Sequence, residues 1–302
     1  MKVFHLSVLT GVLATRAVGC DLCSVYSAAE AGGGVGRGFY TGVAEQFTRF
    51  GTLQDDGRQV PNKGVFINSS VSQVFAGYNF NYRFGLQFNL PLIYREFGSP
   101  TARGAESGVG DAFLLGNVRL YDKLGENYTF AWAGLAGIKF PTGNSDRLGG
   151  PDFTEGIGGH DLALGSGSFD GIVGTSLLAR WKHLFMNATV QYAIRSEGAF
   201  GHQYANDLTW AGGPGAYLAL THHYTLALQA VVSGETKGKD TFNGVADGDS
   251  AETVFYLGPQ INFTWSSRLS AQLGADFPMS IANNGVQVVP DYRLRAGVTW
   301  RF

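Results

Sequence analysis

The stretch Asp291-Tyr-Arg-Leu-Arg-Ala-Gly-Val-Thr-Trp-Arg-Phe302 constrains this chain more than any other. Read with a period of two, Tyr292, Leu294, Ala296, Val298, Trp300 and Phe302 make one apolar face. Arg293, Arg295, Thr299 and Arg301 make the other, with Gly297 between them. The stretch is a β-strand. A soluble sheet would bury the apolar side and wet the basic one, and the pattern alone fits that too. Aromatics gathered at the strand end, with Phe302 last, favour a membrane instead. The apolar face would then meet lipid and the basic face a lumen, with the last strand pairing with the first.

Composition agrees with membrane-facing strands. The 302 residues include 44 Gly, 22 Phe, 13 Tyr and 5 Trp, and only 15% are charged, against about 25% in ordinary soluble domains. A formal net charge of −2 argues against nucleic acid as a partner, which would call for a basic surplus. No apolar run reaches the roughly 18–20 residues of a membrane helix apart from a shorter N-terminal one. Any crossing is by strands.

Residues 1–19 read as an export signal, with Lys2, an apolar Val3–Thr15 and small residues at Ala17-Val18-Gly19. Residues 20–37 would form an N-terminal periplasmic segment holding Cys20-Asp21-Leu22-Cys23, with a short helix over Ser24–Ala31 before Gly32-Gly33-Gly34. In an exported chain, Cys20 and Cys23 read as a disulfide closing a tight loop. Two other readings stay open: a lipid anchor on Cys20, because Ala17-Val18-Gly19-Cys20 is a weak lipoprotein box, and a redox or metal role. No His follows the pair for haem attachment and no second pair exists for zinc, so no cofactor and no metal are predicted.

From residue 38 to 302, strand-like segments alternate with turn clusters, and short connections alternate with long ones. Strands are predicted over about 39–50, 65–78, 83–97, 109–121, 128–140, 169–181, 185–195, 208–221, 225–235, 252–265, 269–279 and 291–302. The fold class is therefore all-β: an antiparallel up-and-down transmembrane barrel of about twelve strands with short periplasmic turns and long outer loops. Pro91 is expected at a bulge. The longest connection, Pro141 to about Ser168, is rich in Gly and Asp and is expected to fold inward as a constriction or outward as a lid. Its Asp146, Asp152, Glu155 and Asp161 show no calcium-loop spacing.

By alternation and charge, the predicted lumen residues are Glu45, Arg49, Arg95, Asp111, Arg119, Lys139, Asp170, Arg180, Arg195, Glu235, Glu252, Asp276, Arg293 and Arg295. Both signs occur, so neither an anion nor a cation filter is expected. Asp111, Arg119 and Lys139 would share the lumen side of adjacent strands, either as a salt-bridge network or as solute contacts. Phe113, Leu115, Leu135, Ile172 and Leu178 are predicted inward apolar residues, which tilts the reading towards hydrophobic solutes. Enzymatic function is not expected. Ser, His and Asp are present, but there is no G-x-S-x-G elbow, and His160 and His202 fall in outer loops.

Three motifs carry a family resemblance. Ser107-Gly-Val-Gly-Asp111 opens the fourth strand, Gly137-Ile-Lys-Phe-Pro-Thr-Gly143 closes the fifth, and Leu164-Gly-Ser-Gly-Ser168 precedes the sixth. Together they resemble the outer-membrane transporter family named for the meta-pathway of phenol degradation, over roughly Gly38–Phe302. The resemblance implies a bacterial outer-membrane location and passage of a small, hydrophobic or aromatic solute. The strand ending in Trp300 and Phe302 resembles the signal by which the barrel-assembly machinery recognises such proteins. The expected partners are thus outer-membrane lipid, that machinery and a small-molecule solute. The competing expectation is a plugged structural or adhesion barrel without transport, and the sequence leaves the oligomeric state open.

Overall fold

The structure, a computed structural model, describes residues 37–302 apart from residue 267. The expected export signal and the segment holding Cys20 and Cys23 lie outside the described residues. Twelve long strands run β1 (Gly38–Asp55), β2 (Phe66–Asn79), β3 (Phe84–Gly98), β4 (Phe113–Leu124), β5 (Tyr128–Lys139) and β6 (Asp170–Trp181). They continue with β7 (Leu184–Ile194), β8 (Asp207–Leu220), β9 (Tyr224–Lys237), β10 (Glu252–Trp265), β11 (Leu269–Asn283) and β12 (Val286–Arg301). Each pairs antiparallel with its neighbours in sequence, and β1 closes the ring on β12 from Tyr40↔Arg301 to Asp55↔Val286.

The barrel is inside-out relative to a soluble sheet. On β12, Leu294 and Val298 are 44% and 49% exposed, whereas Arg295 and Thr299 are 3% and 1% exposed. The same inversion runs round the ring: Gln46, Gln73, Gln87, Gln191, Gln229 and Gln260 are buried, while Val43, Val74, Phe88, Val190, Leu228 and Ile261 are exposed. An apolar outer face and a polar inner one suit a barrel spanning a membrane, where strand pairing satisfies the backbone and lipid covers the outside. Among the described residues no helix is long and apolar enough to cross.

The seam between first and last strand is fixed at its periplasmic end by Phe302. Its N–H donates to the Phe39 carbonyl at 3.0 Å, and its ring lies 5.5 Å from the Phe39 ring. Phe75 packs across β1 over Gly42, where any side chain would meet both the Phe75 ring and the Val298 carbonyl.

Several boundaries differ from those expected. The expected outer loop Ser99–Ser107 is largely a strand, Arg103–Val109, which pairs with the upper half of β3. The jog at Gly110-Asp111-Ala112 separates it from β4. Pro91 stays in register with Gln73, and the interruption falls on the partner side, where Gly110 N–H donates to the Pro91 carbonyl at 2.8 Å. Part of the expected loop Gly51–Lys63 is strand too, since β1 runs to Asp55 and Arg58–Val60 folds back on it. The loops after β7 and β9 meet in a small sheet of His202–Gln203, Thr241–Phe242 and Val245–Ala246. The last connection is short, because β11 runs to Asn283 and β12 starts at Val286.

Removing Phe302 deletes one ring pair, worth about 0.5–1.5 kcal/mol, and one seam hydrogen bond. The fraction of protein migrating as the folded, heat-modifiable species on gels is expected to fall, and an unchanged fraction would show that the seam does not depend on this residue.

Candidate functional site

The lumen is built in layers. At the periplasmic end an open cavity with about 710 Å³ of atom-free space, part of it continuous with solvent, is lined by Asn79, Gln87, Leu115, Asn117, Arg119, Leu135 and Ser176 among others. Above it Phe113, Leu115 and Ile172 form a buried apolar cluster with Leu135 packed against it. These side chains face inward because their strands alternate around them: Ile138 and Val173 on the opposite parity are 53% and 44% exposed. Leu178 shares the parity of Ile172 and Ser176 on β6 and lies towards the open end.

Above the apolar layer runs a ladder of charge. Lys139 Nζ lies 2.6 Å from Asp111 Oδ2 and 2.8 Å from Asp170 Oδ2, and Arg195 joins Asp170 at 3.0 Å to Asp207 at 2.6 Å. All five side chains are at most 5% exposed. Alternating signs across four adjacent walls leave no net filter charge at this level, and removing any one member would strand a buried charge.

The three sequence motifs converge here. Asp111 accepts hydrogen bonds from Lys139, from Gly143 N–H at 3.0 Å, and from the N–H and hydroxyl of Ser166 at 2.9 and 2.8 Å. Thr142 hydroxyl donates to the Gly110 carbonyl and accepts from Ala112 N–H, both at 2.8 Å. Gly143 and Gly165 touch backbone to backbone, and a side chain on Gly165 would meet Gly143 and the Asp111 carboxylate. Glycine is required at that crossing because the two backbones approach too closely for any Cβ. The knot ties both ends of the long loop to the barrel wall.

Held by that knot, the loop turns inward. Leu164 packs on Val71 and Ile93. Ile157 and Leu162 are at most 1% exposed within a cluster of Leu53, Val65, Ile67, Phe97 and Val288. Arg95, 2% exposed, donates to the loop carbonyls of Asp161 at 2.8 Å and Ala163 at 2.7 Å. Of the two expected courses, constriction or lid, the loop takes the first. Outside it, Tyr204 hydroxyl donates to the His160 carbonyl at 3.0 Å, and the His160 and His202 rings stack at 6.1 Å. Burial works against a charge on His160, but the carboxylates of Asp161 and Asp240 outweigh it and raise its pKa above the ordinary 6.5. Burial dominates at His202 and lowers its pKa.

Of the fourteen charged residues assigned to the lumen, twelve lie on the inward parity. Arg119 and Arg180 stand near the periplasmic end, where Arg180 donates to the Thr129 hydroxyl. Asp276 and Arg295 form a two-pronged bridge at 2.7 and 2.9 Å. Arg293 lies 3.6 Å from Glu235 and over the Tyr256 ring, and Glu252 is buried near the outer end of β10. Arg119 does not join Asp111 and Lys139; it lies deeper, on the wall of the open cavity. Glu45 and Arg49 are corrections. Gln46 and Thr48 take the inward parity of β1, so Glu45 and Arg49 share the outer face with the exposed Val43. Their partners sit on β2: Glu45 accepts from the Ser70 and Ser72 hydroxyls, and Arg49 donates to Asn68. Neighbours one strand away satisfy these charges, a pairing visible only once the register is known. The loop anchors Arg95, Ser166 and Ser168 and the inward amide rows are further lumen residues, of which sequence reasoning singled out Arg95 alone and placed both serines only within a motif.

The described residues thus define a twelve-stranded membrane barrel with an inward-folded loop, a charge ladder and an apolar, periplasm-facing cavity. A model of the family described as MetA-pathway of phenol degradation matches residues 55–283, and the chain belongs to that family. Among solved structures, an outer membrane channel from Pseudomonas putida F1 is similar at 17% identity with a TM-score of 0.65, over 89% of this chain and 97% of that one. The β domain of the Bordetella autotransporter BrkA (11% identity, TM-score 0.48, 88% and 100% covered) and the CymD monoaromatic hydrocarbon channel (9%, 0.40, 97% and 95%) are more distant. No curated protein sequence matches the chain.

Replacing Asp111 with Ala should free both roots of the loop. Limited proteolysis of the folded, detergent-solubilised variant is expected to cut within residues 144–163 severalfold faster than the parent, and equal rates would contradict the anchoring role. Histidine proton NMR should show His160 titrating above 6.5 and His202 below it. The stabilisation from His160 is full below pH 6.5 and lost as pH rises through its folded midpoint, whereas that from His202 is present above 6.5 and lost as pH falls through its own.

Proposed function

We propose that this protein is an outer-membrane channel that passes a small, uncharged, hydrophobic or aromatic solute by diffusion assisted by weak binding in the lumen. The observation that carries the reading is the apolar layer of Phe113, Leu115, Leu135 and Ile172 facing the interior of a membrane barrel. A barrel serving only as a wall fills its lumen with paired polar groups, as the layer above does. Apolar side chains facing a cavity give a hydrophobic guest somewhere to leave water. The ladder above is neutral in sum, so it repels no charge type and favours no ion. Membership of the family, and the outer-membrane channel it resembles in fold, agree with this reading. Outer-membrane lipid is then the surrounding solvent, assembly depends on the barrel-assembly machinery, and no catalysis is assigned.

A second reading is a barrel closed by its own loop, favoured by the burial of Ile157 and Leu162 within the mouth. Planar-bilayer recording separates the two. Conductance steps that small aromatic compounds interrupt support the channel, and a folded, inserted protein giving no steps supports the plugged barrel. Leu115→Asp together with Ile172→Asp should abolish block by the aromatic compounds while leaving the steps in place. Block that survives both substitutions would place the binding layer elsewhere.

A further inference from the structure

The ring is not sealed equally around its circumference. Between β11 and β12 the register runs from Leu269↔Trp300 to Asp276↔Arg293 and stops there. Above that level β11 continues to Asn283 and pairs with β10, and β12 begins at Val286 and pairs with β1, but the two do not pair with each other. Their upper halves, Phe277–Asn283 and Val286–Tyr292, part and rejoin only through the turn between them. The sequence supplies the cause: each half carries a proline, Pro278 and Pro290, that cannot donate to a ladder, and each carries a register shift beside it, at Met279 and Asp291. The rim is nonetheless held. Ala251 N–H donates to Asn284 Oδ1 at 2.7 Å on one side, and Gly57 N–H donates to Asn283 Oδ1 at 2.9 Å on the other.

The tip of the long loop takes the place of the missing partner. Val288 N–H, on the β12 edge that faces the slot, donates to the Gly156 carbonyl at 3.2 Å. Gly156 has φ of +84°, and a side chain there would run into Leu53. Behind it Phe153, Ile157, Leu162 and Phe97 form the apolar cluster of the mouth. Outside, Phe277 and Met279 are 52% and 67% exposed. Tyr292 stands at the foot of the slot, eight residues from Trp300. At about 3.3 Å per residue and a tilt near 40° that is about 20 Å, close to the height of an apolar membrane band. The slot therefore opens just above the hydrocarbon, at the level of the lipid headgroups.

We propose that the slot between β11 and β12 is a lateral portal, stoppered by the loop tip Phe153–Ile157, through which a hydrophobic solute lodged at the outer surface of the membrane enters the lumen sideways. This rests on the channel reading above. It also gives the solute an apolar route past the polar loop tips, from Phe277 and Met279 to Ile157 and Phe97.

The test uses Ser280→Cys, on the exposed rim of the slot, in a chain whose Cys20 and Cys23 are replaced by Ser. A control carries Thr101→Cys at an exposed outer turn remote in sequence from the slot. Intact cells bearing either variant are treated with a bulky, membrane-impermeant maleimide, and naphthalene uptake is measured before and after. The portal predicts that labelling drops Ser280→Cys uptake close to that of cells lacking the protein while Thr101→Cys keeps its rate. Labelled Ser280→Cys protein that retains full uptake overturns the portal and leaves the channel standing. Unlabelled protein that takes up no more naphthalene than cells lacking it overturns both. If Ser280→Cys fails to assemble, Ala282→Cys on the same rim serves in its place.

Discussion

A strand in a membrane has no water to fall back on, so every backbone N–H and C=O within the bilayer must find a partner in the sheet. Closure of β12 on β1 is the interaction that meets this demand. It explains the inverted burial, because once the backbone is satisfied the outer side chains need only match lipid while polar groups collect inside. It also explains where irregularity is allowed. The jog at Gly110–Ala112 is covered by the loop root, and the parting of β11 from β12 begins where the wall leaves the hydrocarbon.

Inside the ring, one carboxylate organises the mouth. Asp111 collects Lys139, Gly143 and Ser166, which come from three separate stretches of sequence. With both roots fixed, the loop cannot swing out as a lid without breaking charge-assisted hydrogen bonds at a buried site. Its apolar side chains then fill the mouth, and the open part of the lumen is left at the periplasmic end. The arrangement divides the barrel into a closed polar ladder, an apolar layer beneath it and a wet vestibule.

Most of the wall was legible in the sequence because alternation is strict where one face meets lipid. β12 and β7 read correctly residue by residue, as did the apolar set Phe113, Leu115, Leu135 and Ile172. β1 misled on Glu45 and Arg49 because they were placed by charge, although Val43 and Phe47 share their parity. What offsets those charges, Ser70, Ser72 and Asn68, depends on the register with β2. The convergence of the three glycine motifs was not readable either. Each looked like local turn chemistry, and only the packing of Gly143 on Gly165 shows why glycine is needed.

The central claim is that the apolar layer of the lumen holds a hydrophobic guest. Crystals of the protein soaked with a brominated monoaromatic compound, with data collected at the bromine edge, test it most directly. An anomalous peak inside the barrel beside Leu115, Leu135 and Ile172 is the predicted result. Peaks confined to the lipid-facing surface, with none inside, would contradict it.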